Sequence, residues 1–354
     1  MSESTKALGS ARDTAMTAIV QNRYGAPEQV LAPAEIARPV PGDDEVLVRM
    51  RATSVNTPDW LAVQGVPYLL RLQSGLRRPA APVRGSDIAG VVAATGKNVT
   101  DLRIGDEVFG SQWGTKSRPG TFAEFALASA DRLIAKPAEL TFEEAGAAVM
   151  SGITALLAVR DVSRAGPGKR ILINGASGGV GTFAIQIAKT LGAHVTGVCS
   201  TRNVEFVRSL GADEVVDYTR DDYTRGAQRY DAILDNVLNH SPAANAALLT
   251  PTGTFIPNSI GNAAGLFGGL PRIGRAHLMG LGSADVRSVT CVPDRGNLRD
   301  LAALLASGDV KVIIERTYPL AEAAAAITHM LGHRARGQIA VTIRPGGDSG
   351  GEID

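Results

Sequence analysis

The run that most restricts this 354-residue chain is Arg170-Ile171-Leu172-Ile173-Asn174-Gly175-Ala176-Ser177-Gly178-Gly179-Val180-Gly181. An apolar strand enters a glycine-rich turn, and the turn opens a helix over Gly181–Leu191 with Ala184, Ile187, Ala188 and Leu191 on one face. Such a turn lets backbone N–H groups at the positive end of a helix approach a pyrophosphate. Gly178 allows the backbone near the phosphate and Gly181 allows helix and strand to pack. The candidate loop is therefore Ala176, Ser177, Gly178, Gly179, Val180 and Gly181. Ala176 departs from the first glycine of G-x-G-x-x-G, and the strand–turn–helix context restores the motif. Gly175–Gly179 also fits G-x-S-x-G, the nucleophile elbow of hydrolases. That reading lacks an upstream oxyanion sequence and leaves the long β-rich stretch ahead of it without a purpose.

The surroundings extend the pattern. His194–Cys199, Glu214–Val216 and Ala232–Leu234 read as strands, with a helix over Asn203–Leu210. Strands alternating with helices at this spacing predict a doubly wound parallel sheet. The glycine-rich stretch Leu266–Leu281, carrying Arg272 and Arg275, reads as a loop placed to cover a substrate. Ser288–Val292 reads as an edge strand suited to pairing with a second copy. Upstream, short turn-bounded runs at Glu45–Met50, Gly90–Ala94, Asp106–Gly110, Thr121–Leu127 and Arg132–Ala135 predict a small barrel or curled sheet. Helices follow at Glu143–Ala158, Asp300–Ala306 and Ala321–Met330, and Ile339–Ile343 forms a last strand.

Ribose chemistry selects the cofactor. The second strand ends at Val198-Cys199-Ser200-Thr201-Arg202, where an acid would accept the ribose hydroxyls of NAD. None is there. Ser200, Thr201 and Arg202 offer hydroxyls and a guanidinium, and Tyr218 a phenol, as a 2′-phosphate requires. NADPH/NADP is the expected cofactor.

Composition narrows the partners. Thirty-six basic and thirty-five acidic residues give a net charge of +1, which offers no global attraction for nucleic acid or an anionic membrane, and neither is expected as a partner. Two cysteines, Cys199 and Cys291, fit a reducing compartment. Residues 1–15 lack a signal-peptide apolar core, and no run approaches the ~20 apolar residues of a membrane span, so the expected location is cytoplasmic. The first 193 residues contain neither His nor Cys, so a metal there would have only oxygen ligands.

Further segments carry a family resemblance: Pro41–Val48, Ser54-Val55-Asn56-Thr57-Pro58-Asp59, Gly85–Val92, Ile104–Val108, Gly120–Phe125 and Gly211–Tyr218, in that order around the glycine loop. The chain resembles the medium-chain dehydrogenase/reductase superfamily, in its zinc-free quinone oxidoreductase branch. The resemblance implies an α/β protein with a GroES-like β-rich catalytic domain plus a doubly wound Rossmann domain. It divides the chain into a disordered tail (1–15), the catalytic domain (16–145 with 313–345), the NADP-binding domain (146–312) and a polar tail (346–354). It implies a homodimer. Zinc-dependent relatives use a Cys near Asn56 and a His-Glu pair after Gly85; this chain has Asn56, Ser86 and Asp87. No metal site is implied. The implied reaction is hydride transfer to an already polarised acceptor, a quinone or α,β-unsaturated carbonyl. Asn56 and Asp59 would lie by the nicotinamide and substrate, and Tyr68 would be a proton donor. Thr154, Asn236 and Val237 would border the cofactor, and Arg334 the 2′-phosphate. Arg71, Arg77, Arg78 and Arg84 could meet a CoA or carrier phosphate, in keeping with an enoyl-thioester reductase as the alternative. An NADPH-binding sensor with little turnover is the other.

Overall fold

In Glu45–Ser54 the side chains of Val46, Val48, Met50 and Ala52 share one buried face, and on the other only Arg49 and Arg51 are exposed. This strand organises the first half of the molecule. The structure is a computed structural model that describes residues 15–115, 119–261, 263–280, 282, 284–332 and 335–344. Both tails fall outside the described residues, Ala15 excepted.

β1 (Ala15–Gln21) and β2 (Leu31–Ala37) form an antiparallel pair. β3 (Glu45–Ser54), β4 (Asp87–Thr95), β5 (Glu107–Ser111), β6 (Phe125–Ser129) and β7 (Leu133–Ala135) form a curled antiparallel sheet, with β6 on one side of β3 and β4 on the other. Helix α1 (Thr57–Gln64) follows β3 directly. The strand expected at Thr121–Leu127 begins four residues later. Thr121 and Phe122 instead bury themselves beneath Gly85.

Helix α2 (Phe142–Leu156) opens on a capping box. The Thr141 hydroxyl accepts from the Glu144 N–H (3.1 Å), and the Glu144 carboxylate accepts from the Thr141 N–H (2.9 Å). Every residue from Ala145 to Leu156 is buried. Gly146 lies against the Ala52 backbone, and Gly152 against Leu301 on the far side. α2 is thus shared by both halves of the molecule, and the expected boundary at 145/146 falls inside it. With its continuation to Val162 it is long and apolar enough to cross a membrane, but 78% of its apolar window is buried, as in a core helix.

β8 (Arg170–Asn174), α3 (Gly179–Thr190), β9 (His194–Cys199), α4 (Val204–Ser209), β10 (Glu214–Asp217), β11 (Tyr230–Asp235), β12 (Leu249–Pro257), α5 (Leu270–Met279) and β13 (Asp285–Val286) build the second half. The strands are all parallel in the order β10-β9-β8-β11-β12-β13. This is the doubly wound arrangement, and its switch point lies between β8 and β11. The chain then forms α6 (Arg295–Ala306), β14 (Ile314–Pro319), α7 (Ala323–Leu331) and β15 (Gln338–Thr342). β15 returns to the first sheet and pairs antiparallel with β3.

Two expectations are corrected. Ser288–Val292 is not a strand: the edge is β13, only two residues long. After the Arg287 N–H donates to the Phe255 carbonyl, the chain leaves the sheet. Val289 then packs on the main core and Cys291 is buried, so the apolar character of this run serves the junction between the halves. Leu270–Met279, expected as loop, is helical. Pro271 suits a first helical turn, and Ile273 and Ala276 pack inward.

Candidate functional site

The glycine loop joins β8 to α3 at the switch point. The N–H of Ala176 donates to the Val198 carbonyl (3.0 Å), and the N–H of Gly178 closes the turn on the Gly175 carbonyl (3.1 Å). Helix α3 starts at Gly179, two residues before the predicted start, so its first turn comprises Gly179, Val180 and Gly181. A Cβ on Gly181 would sit 2.2 Å from the Gly175 oxygen, so this glycine is required by helix–strand packing. A Cβ on Gly178 would meet only that same oxygen, at 3.5 Å. The space over Gly178 is left clear by the protein, as a backbone cradle for a phosphate requires. Ala176 is fully buried, so its methyl is spent inside the fold. These features fit a dinucleotide.

Val237 and Asn236 lie across the switch point. Asn236 donates through its backbone N–H (3.2 Å) and Nδ2 (3.1 Å) to the Asn174 carbonyl, and its Oδ1 accepts from Asn258 (2.8 Å). Beneath them Asp235, fully buried, accepts from Asn174 Nδ2 (2.8 Å) and from the Leu238 N–H (2.8 Å), which fixes the strand ends.

At the ribose end Ser177, Ser200 and Asn203 form one polar group: Asn203 Nδ2 donates to Ser177 Oγ (2.9 Å) and Ser200 Oγ (3.4 Å). Arg202 and Thr201 are exposed, as is Tyr218. Arg334 lies outside the described residues. Two positions on, Arg336 donates from Nε to Asn203 Oδ1 (2.7 Å) and from Nη2 to the Arg202 carbonyl (2.8 Å). The Gly337 N–H bonds the Ser177 carbonyl (2.9 Å), so the returning segment clamps the loop. Arg336 was missed from sequence, although the run Arg334-Ala335-Arg336 already carried the signal. Asp217, at the end of β10, was also missed. Its carboxylate is taken up by Thr201 (2.6 Å) and Thr219 (2.7 Å), with Arg220 at 3.6 Å.

On the catalytic side, Asn56 caps the approach to α1 and is buried. Its Nδ2 donates to Ser54 Oγ (2.8 Å) and Asp87 Oδ2 (2.9 Å). Asp87 Oδ2 also accepts from Ser54 Oγ (2.7 Å) and the Met150 N–H (3.2 Å), while its buried Oδ1 has no partner among the described residues. Asp59 accepts from the Asn56 N–H at Oδ2 (2.7 Å) and from the Gly85 N–H at Oδ1 (3.0 Å), so both its oxygens hold backbone in place. Burial, with the neighbouring Asp87 charge, lifts the Asp59 carboxyl to about 7. Burial lifts Asp87 to about 6, against the hydrogen bonds from Ser54 and Asn56. Cys291 lies by Asp87 and Thr154, and burial pushes its thiol up to about 12. Thr154 itself bonds back to the Met150 carbonyl (2.7 Å).

The structure therefore brings Asn56, Asp59 and Thr154 together with two residues that sequence reasoning left aside, Asp87 as a buried acid and Cys291. Tyr68 is not part of this cluster. It stands half-exposed on an outer lip, its ring under the Arg71 guanidinium (4.6 Å). Among the described residues no group of three His, Cys, Asp or Glu side chains could hold a metal ion.

Residues 42–138 match the family of alcohol dehydrogenase GroES-like domains, and residues 210–341 that of zinc-binding dehydrogenases. The chain is 31% identical over 342 residues to the chloroplast envelope quinone oxidoreductase homolog of Arabidopsis thaliana, covering 92% of this chain and 98% of that protein. It is 41% identical over 204 residues to the trans-enoyl reductase pgmF of Aspergillus terreus, covering 55% of this chain and 56% of the relative. It also resembles the crystal structure of Escherichia coli quinone oxidoreductase complexed with NADPH, at a TM-score of 0.77 and 25% identity, covering 92% of this chain and 99% of that one. With its curled sheet completed by a returning strand around a doubly wound domain, the chain belongs to the medium-chain dehydrogenase/reductase superfamily, in its quinone oxidoreductase-like branch.

Proposed function

We propose that this oxidoreductase is an NADPH-dependent, zinc-independent reductase of quinones or α,β-unsaturated carbonyls. The observation that carries the reading is the composition of the buried catalytic cluster. Among the described residues, those around Asn56 supply its own amide, two carboxyls and hydroxyls, with no imidazole and with the Cys291 thiol held protonated by burial. Such a set does not favour zinc, and without a Lewis acid the acceptor must arrive already polarised. The nicotinamide would supply the hydride. The chain's own residues hold the cofactor at the glycine loop, exclude water and manage the proton. Hydride addition to a conjugated carbonyl puts charge on its oxygen, which a nearby donor stabilises. Near neutral pH Asp59, lifted to about 7, keeps its proton in part of the molecules, whereas Asp87, at about 6, has largely lost its own, and Tyr68 offers a hydroxyl at the lip. NADPH is preferred in this reading because Ser200, Arg202, Tyr218 and Arg336 gather donors at the ribose end, where Asp217 is already occupied by Thr201 and Thr219.

The test is NADPH oxidation by the metal-analysed protein with a quinone, an enal and an enoyl-CoA. Turnover with the quinone or enal, unchanged by chelator and without stoichiometric zinc, is expected. Turnover on the enoyl thioester alone would favour the second reading, enoyl-thioester reduction, which the similarity to a trans-enoyl reductase supports. One zinc per chain, or no turnover on any acceptor, would overturn the proposal.

A further inference from the structure

We propose that the lip beside the site, built from residues 68–78 and 264–279, docks this protein on an anionic lipid bilayer. Two backbone hydrogen bonds join the segments: the Tyr68 N–H to the Gly265 carbonyl (3.1 Å) and the Leu69 N–H to the Leu266 carbonyl (3.0 Å). The joined surface is unusually apolar. Leu72 is 71% exposed, Leu76 66%, Leu266 55% and Phe267 51%. Single exposed leucines are ordinary, whereas a contiguous group marks an interaction surface. α5 adds to it, packing inward through Ile273 and Ala276 while Arg275 and Leu278 face out.

The charge on this lip is of one sign. No Asp or Glu occurs between Trp60 and Ser86, and none between Asn236 and Ala284. The cations there include Arg77, Arg78, Arg272 and Arg275, all exposed. Arg272 bonds the Leu238 carbonyl. Arg77, Arg78 and Arg275 form no ion pair among the described residues. The net charge of +1, which argued against an anionic surface as partner, averages this segregation away.

Leucine and phenylalanine flanked by arginines, with no carboxylate, is the chemistry of a surface that seats its apolar groups among acyl chains and its cations among anionic headgroups. A second copy fits poorly, because a symmetric contact would set arginine against arginine. A soluble phosphate ester would satisfy the arginines but leave the apolar side chains uncovered. The segment leading from the end of β12 at Pro257 toward this lip starts at the cofactor side of the sheet. A lipophilic acceptor could therefore pass from bilayer to site. That consequence rests on the quinone reading; the docking does not.

The full-length protein is tested by co-sedimentation with phosphatidylcholine vesicles, with and without phosphatidylglycerol. Binding to the anionic vesicles only, weakened by salt, is expected. The double variant Arg77→Glu/Arg78→Glu should weaken it by at least about thirtyfold, and Leu72→Ser/Phe267→Ser should weaken it at constant charge. Both variants should melt cooperatively at the parent temperature and bind NADPH with the parent affinity. No sedimentation with anionic vesicles, undiminished binding of the charge-reversed variant, or a dimer that Leu72→Ser/Phe267→Ser dissociates would overturn the proposal. Vesicle binding without quinone turnover would count against the reductase reading alone.

Discussion

A single carboxylate shows how the fold makes chemistry out of a costly placement. Asp87 accepts at one oxygen from Asn56, Ser54 and the Met150 N–H, and burial of the whole carboxyl outweighs these hydrogen bonds, so the protonated form is favoured. A carboxyl raised from 3.8 to about 6 binds a proton in the folded state that it has lost in the unfolded chain. Its favourable contribution therefore falls as pH rises from about 4 through about 6, by up to about 3 kcal/mol. Asp87→Asn should flatten this loss: relative to the parent, the variant gains melting temperature at pH 8 compared with pH 5. An equal slope in both proteins would contradict the account. Arg336 carries the second residue-scale prediction. Arg336→Glu puts a carboxylate where donors gather, and should raise the dissociation constant for NADPH at least tenfold while leaving NADH nearly unchanged. Fluorescence titration of both cofactors measures it. Equal loss for the two would mean that Arg336 serves only the packing of Asn203.

At the scale of the element, the glycine loop separates two requirements that the motif merges. Gly181→Val would drive a side chain into the Gly175 carbonyl and should prevent stable folding, read as lost cooperative melting. Gly178→Val meets little protein, so it should keep the fold and lower NADPH affinity at least tenfold. A folded Gly181→Val, or full affinity in Gly178→Val, would break this division. The loop was legible in the sequence because its demands are local: strand, turn and helix are contiguous, and the glycines mark the close approaches. The doubly wound sheet followed from the same periodicity. Ser288–Val292 was misread because β-branched residues suit a strand or a buried junction equally well, and only the packing against α2 decides between them. α5 was obscured by Gly274 and Pro271, which weaken helix propensity while tertiary contacts at Ile273 and Ala276 restore it. That Asp87 and Cys291 meet at one site was not legible because they are 204 positions apart, and only burial makes either unusual.

The whole molecule is less divisible than its two sheets suggest. The largest core cluster runs from Ala89 and Phe109 through α2 to Ile173 and Leu301, so it belongs to both domains. Calorimetric unfolding should accordingly show one transition, with the calorimetric and van't Hoff enthalpies equal; two resolved transitions would refute a shared core. The pairing of β15 with β3, at Ala340↔Ser54, Val341↔Thr53 and Thr342↔Ala52, has a further consequence in time. A ribosome making roughly 5–20 residues per second needs about 15–60 s to go from the one strand to the other. Throughout that interval the end of β3 is a nascent sheet edge whose partner has not been synthesised. The cell must keep that edge from pairing with neighbouring nascent chains until the last strand emerges.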